Sequence, residues 1–240
     1  MKAMILAAGL GTRMQPITLT RPKALVEVKG KTMLQRNIEY LKAAGVTEIV
    51  VNVHHFAEQI IEFIRSNNDF GVRIHISDET DAVLETGGGL KRAQSFLEEE
   101  QAFILMNVDI LTDLSLTDMM AFHQNQADAL ATLAVTQRDS SRLLLFNPEN
   151  QLKGWKNEKT GEKIILNADE SCLVSRAFSG IHILSSRIFS HMKSEGKYSI
   201  INTYLELAEK FPIYGYDHSE GIFLDVGRPE VITVAENLIE

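Results

Sequence analysis

The sequence predicts an α/β fold of three layers, with helices on both faces of a mixed, mainly parallel central sheet. Three observations predict it. Through about residue 125, short apolar runs alternate with segments of helical periodicity, the rhythm of βαβ units and a parallel sheet. Beyond about residue 128, strand-like runs follow one another across polar loops, so the sheet turns mixed there. The composition of the 240 residues, 45% hydrophobic and 23% charged with 5 Pro, is that of an ordinary globule and excludes a disordered or collagenous chain.

Residues 2–8 read as a buried first strand, too short for a helix and closed by glycine. Leu34, Ile38 and Leu41 recur at helical spacing in 32–44, and Gly45 supplies the stop. Strand 48–53, helix 56–65 with Ile60, Ile61 and Ile64 on one face, and strand 72–76 continue the alternation. Helix 88–97, apolar strand 102–108 and helix 116–125 complete the parallel half. Strands are expected at 130–135, 142–146, 151–155, 178–184 and 221–226, and helices at 200–210 and 229–239. Residues 157–176 show no clear pattern. No linker, long charge run or internal repeat divides the chain, so 1–240 is expected to be a single domain.

Lys and Arg total 24 against 32 Asp and Glu, a net charge of −8, which argues against nucleic acid as a partner because phosphate neutralisation needs a basic face. A single nucleotide needs only a local nest of N–H groups and one or two cations. The sole cysteine, Cys172, cannot close an internal disulfide and is expected as a buried small hydrophobe in a reducing cytoplasm. No run approaches the roughly 20 apolar residues of a membrane helix, so no membrane partner is expected. The apolar start stops at Gly9, too soon for a cleavable signal.

Ligands of such sheets lie at the carboxyl ends of the strands. Directly after the first strand come Ala7, Ala8, Gly9, Leu10, Gly11, Thr12 and Arg13, then Pro16, Thr18, Pro22 and Lys23. Two glycines two apart permit a tight turn that presents N–H groups to phosphate oxygens. The third glycine of a dinucleotide site would fall at Met14, and the Lys-Ser/Thr of a Walker A loop is missing. Arg13 and Lys23 flank the glycines as a planar and a mobile cation, suited to a polyphosphate unless they are merely solvated surface charges. Asp109 ends the strand at 102–108 and Asp225 precedes a helix opened by Pro229, so each reads either as a metal ligand or as a turn or helix cap. Glu85, Thr86, Gly87, Gly88 and Gly89 form a second glycine run, expected to allow close backbone approach to a ligand. His54 and His55 end a strand without the carboxylate spacing of a metal site.

Over Leu6 to Lys23 the chain resembles the sugar-1-phosphate nucleotidyltransferases, whose opening signature is Leu-Ala-Ala-Gly-x-Gly-Thr-Arg-Met/Leu followed by a Pro, a Thr and Pro-Lys. The Glu-Thr-Gly-Gly-Gly run and the short chain look most like the N-acetylmuramate-1-phosphate uridylyltransferase and mannose-1-phosphate guanylyltransferase branch. The resemblance implies a Rossmann-like α/β/α nucleotidyltransferase fold and a Mg²⁺-dependent enzyme joining an NTP, UTP or GTP, to a sugar 1-phosphate for cell-envelope polysaccharide. It implies that Ala7, Ala8, Gly9, Gly11 and Thr12 cradle the triphosphate and that Glu85, Thr86 and Gly87 contact the nucleoside. Arg13 and Lys23 would act on the phosphates, Asp109 and Asp225 would bind Mg²⁺, Asp109 counting among the catalytic residues, and Gly180 in Phe178-Ser179-Gly180-Ile181 would line the sugar pocket. The chain departs from the family pattern at Val108 for Gly, Phe223 for Trp and Arg228 for Thr, and Glu158-Lys159-Thr160 lacks the proline of the family's sugar motif. Two rivals share the fold: a phosphocholine cytidylyltransferase, from which the glycine run points away, and a non-catalytic nucleotide-sensing subunit, which would tend to lose Arg13, Lys23 or an aspartate. A homo-oligomer is left open.

Overall fold

The computed structural model describes residues 1–238. Its first half is built from β1 (Lys2–Leu6), β2 (Glu27–Val28), β3 (Lys31–Thr32), α1 (Met33–Ala43), β4 (Glu48–Val53), α2 (Ala57–Ser66), β5 (Arg73–Asp78), α3 (Glu85–Arg92), α4 (Gln94–Leu97), β6 (Ala102–Asn107), β7 (Ile110–Thr112) and α5 (Leu116–Asn125). The second half adds β8 (Ala131–Thr136), β9 (Arg142–Phe146), β10 (Leu152–Asn157), β11 (Lys163–Ile165), β12 (Val174–Ser185), α6 (Ile200–Leu207), β13 (Ile213–Asp217), β14 (Phe223–Asp225) and α7 (Pro229–Leu238). The expected end of the last helix, Ile239, lies outside the described residues.

The main sheet has ten strands, ordered β11-β10-β9-β12-β6-β1-β4-β5, with β8 paired to β12 off this path and β13 paired to β8. Strands β6, β1, β4 and β5 are parallel, and β12 pairs antiparallel with β6, β8 and β9, so the sheet turns mixed at β12. Alternating side chains divide between the two faces. Ala3 and Ile5 join Leu34, Ile38, Ile60, Leu116 and Met119 beneath α1, α2 and α5. Met4 joins Leu90, Leu97, Ile200 and Tyr204 beneath α3, α4 and α6.

The hairpins explain where the sequence reading needed correction. Residues 174–177 belong to β12, which begins four residues before its apolar run because Val174, Ser175 and Arg176 pair with β9. Register slips between Phe178 and His182, where buried Gly180 takes φ +73°, a bulge that a side chain would strain. Cys172 is exposed, not buried, on a short 3-10 turn in the segment that showed no pattern. No helix of the described residues is long and apolar enough to cross a membrane.

Candidate active site

The strand β1 stops at Leu6, two residues earlier than expected, because Ala7 and Ala8 turn out of the sheet. Their N–H groups donate to Asn52 Oδ1 at 2.6 and 3.2 Å. Asn52 lies near the end of β4 and is buried, and its Nδ2 donates to Glu79 Oε1 at 2.7 Å. Burial raises the Glu79 carboxyl above its ordinary pKa, opposed by that bond. One buried amide thus ties the start of the glycine loop to β4 and to the chain beyond β5.

Past Ala8, residues 9–13 run along a cleft of about 580 Å³. Gly11 has φ +65°, and Thr18 Oγ1 donates to its carbonyl at 2.7 Å. A Cβ on Gly9 would meet nothing within 4 Å, so that part of the loop opens to the cleft.

Four charged residues converge at the foot of this loop. Lys23 Nζ donates to Asp109 Oδ2, and Arg13 Nη1 lies 3.9 Å from Asp225 Oδ2. Asp109 sits between β6 and β7, Asp225 ends β14, and β14 pairs antiparallel with β7 so that Asp225 faces Ile110. Val226 N also donates to Asp109 O at 2.8 Å. A Cβ on Gly227 would stand 2.5 Å from Asp225 Oδ1, 2.9 Å from Arg13 Nη2 and 3.2 Å from Lys23 Nζ, so the missing side chain is what lets these groups close in.

Burial and then the neighbouring Asp109 charge push the Asp225 carboxyl up, while Lys23 and Arg13 pull it down. Asp225 Oδ1 is buried without a hydrogen-bond partner. Two adjacent carboxylates with an orphaned oxygen fit a divalent cation. Among the described residues no group of three or more His, Cys, Asp or Glu could hold a metal ion. His54 Nδ1 instead lies 2.6 Å from Glu79 O, and His55 packs on Phe56 with ring centroids 4.0 Å apart.

The three glycines of the second run pack against the polypeptide. Gly87, Gly88 and Gly89 are buried inside α3, which starts at Glu85 and not at residue 88. A Cβ on Gly87 would stand 2.3 Å from the Tyr198 ring, on Gly88 2.0 Å from Gly196 O, and on Gly89 2.7 Å from Glu79 Oε1. Thr86 Oγ1 accepts from Ile200 N at 3.0 Å, locking α3 to α6. Glu85 and Thr86 line the cleft; Gly87 does not. Gly180 is also absent from its lining and sits behind Asn107, whose Nδ2 a Cβ there would approach to 2.7 Å. Asn52, Glu79, Asn107, Arg142 and Lys197 line the cleft unforeseen. Of these only the asparagines carried a signal, as polar residues at the carboxyl ends of buried parallel strands.

Comparison with known proteins places the chain in a family. A family model described as nucleotidyl transferase matches residues 2–143. The N-acetylmuramate alpha-1-phosphate uridylyltransferase of Caulobacter vibrioides is 36% identical over 98% of this chain and 95% of its own. The mannose-1-phosphate guanyltransferase of Yarrowia lipolytica is 31% identical over 96% of this chain but only 61% of its own length. The structure of HddC from Yersinia pseudotuberculosis, complexed with GMP-PN, shares the fold with a TM-score of 0.76 at 24% identity, covering 98% of each chain. The chain therefore belongs to the nucleotidyl transferase family, among its sugar-1-phosphate nucleotidyltransferases.

Proposed function

We propose that the chain condenses UTP with a sugar 1-phosphate of the N-acetylmuramate type, releasing pyrophosphate in the cytoplasm with Mg²⁺ as the divalent ion. The observation that carries the reaction is the meeting of Arg13, Lys23, Asp109 and Asp225 at the foot of a glycine loop. UTP is favoured over GTP by a uridylyltransferase likeness that runs almost the full length of both chains, where the guanyltransferase likeness covers 61% of the relative.

In this reading the N–H groups of the loop from Ala7 to Thr12 cradle the triphosphate, and Glu85 and Thr86 border the nucleoside, with Gly87 fixing their helix against Tyr198. Asp109 and Asp225 hold Mg²⁺, which when bound neutralises charge at the α-phosphate. Lys23 gives up Asp109 to hold the reacting phosphates, and Arg13 stabilises the departing pyrophosphate. The attacking sugar phosphate is already anionic, so no side chain need act as base; positioning for in-line displacement and charge neutralisation supply the acceleration.

The test is a matrix of nucleoside triphosphates against sugar 1-phosphates and phosphocholine, scored for pyrophosphate. UTP with N-acetylmuramate 1-phosphate is expected to give the highest kcat/KM. Absence of pyrophosphate from every pair would contradict the reading, and preference for CTP with phosphocholine would replace it.

A further inference from the structure

The cleft is lined by four cations, Arg13, Lys23, Arg142 and Lys197. Three of them have a carboxylate partner: Arg13 with Asp225 at 3.9 Å, Lys23 with Asp109, and Lys197 Nζ with Glu85 Oε1 at 3.6 Å. Among the described residues the Arg142 guanidinium has no hydrogen-bond or ion-pair partner, although the Arg142 backbone is fixed. Ser140 Oγ accepts from Arg142 N at 3.3 Å and donates to Arg142 O at 3.0 Å. An exposed arginine needs no partner on the open surface; one facing a substrate cleft with its backbone held is poised for an anion that arrives with the substrate.

The topology says which part of the substrate that is. Ile181 of β12 pairs with Met106 near the carboxyl end of β6, so residues 174–180 run past that end and carry β9 beside them. The β9 register places Leu144 opposite Arg176, and Arg142, two residues back, falls beside the bulge near Phe178. Arg142 therefore stands above the carboxyl edge of the sheet, two strand spacings from β6, or about 10 Å. In the reaction proposed above the reacting phosphate lies by Asp109, which follows β6. A single sugar 1-phosphate cannot present its phosphate at both places, which leaves Arg142 for the far side of the sugar ring.

We propose that Arg142 is a specificity-determining residue for the acceptor, pairing with a second acidic group that the sugar carries in addition to its 1-phosphate. The chain then selects acidic over neutral sugar 1-phosphates. This rests on the sugar-1-phosphate reading above and adds the residue that reads the sugar's second charge.

The test compares N-acetylmuramate 1-phosphate, which carries a carboxylate, with neutral N-acetylglucosamine 1-phosphate, each with UTP, in the full chain. In Arg142→Gln the ratio of kcat/KM for the acidic over the neutral acceptor is expected to fall roughly 10- to 100-fold, mostly through KM, as for a lost charge-assisted hydrogen bond. Arg142→Lys restores part of the ratio. An unmoved ratio, whether both activities fall together or neither falls, overturns the proposal while leaving the nucleotidyl transfer intact. A wild-type chain inactive on every acceptor overturns the reaction itself, and this inference with it.

Discussion

Asn52 is the side chain that anchors the glycine loop after β1. Its oxygen accepts from two N–H groups and its amide nitrogen donates to a buried carboxylate, so an isosteric apolar replacement removes the partner of all three, two of them in buried bonds. Asn52→Leu is expected to cost about 2–4 kcal/mol of stability by urea denaturation and to raise KM for the nucleotide, because the loop loses its anchor. Nothing in the sequence announces this bond, since it joins residues 45 apart. The opening motif was legible because its chemistry is local: a strand, two glycines and two cations within residues 2–23. The pairing of Asp109 with Asp225 was legible only through the family resemblance, because 116 residues separate the two and it is β14 folding onto β7 that joins them.

Glycines inside a helix ordinarily weaken it by about 1 kcal/mol relative to alanine, so α3 shows which effect wins when packing opposes propensity. Gly88→Ala would gain helix propensity but place a Cβ 2.0 Å from a backbone carbonyl that cannot swing aside. A net loss of about 1–3 kcal/mol is expected from overpacking, measurable as a lowered thermal midpoint. A gain in stability would show that the loop around Gly196 yields. Read locally, the same glycines suggest a turn or a ligand contact, which is why the helix was expected to begin at residue 88 and not at Glu85. The parallel strands β4 and β6, in contrast, were legible nearly to the residue, because strands buried on both faces read as apolar runs. The edge of the mixed half was not: β11, Lys163–Ile165, pairs with β10 alone, and two of its three residues are exposed, so no hydrophobic pattern marks it.

At the scale of the whole molecule, we propose that the chain unfolds as one cooperative unit. Its stability should weaken in mild acid. His123, bonded to Thr132, and His182, bonded to Tyr204, are held neutral in the core, where burial lowers their pKa to about 4 and about 3. The unfolded chain takes up these protons near pH 6.5 and the folded one does not, so stability present above that pH is lost as pH falls towards 4. Each histidine contributes a loss of about 2 kcal/mol between pH 7 and pH 5. Urea midpoints at the two pH values check this, and His123→Gln should shrink the difference by about that amount. In the proposed reaction two carboxylates far apart in the sequence, Asp109 and Asp225, hold one divalent ion. The most direct measurement is pyrophosphate release as a function of Mg²⁺ concentration for the wild type, Asp109→Asn and Asp225→Asn. Saturable activation abolished by a chelator is expected for the wild type, with each variant slower by about 100-fold or more at saturating metal. Full rate in either variant, or in the presence of chelator, would contradict it.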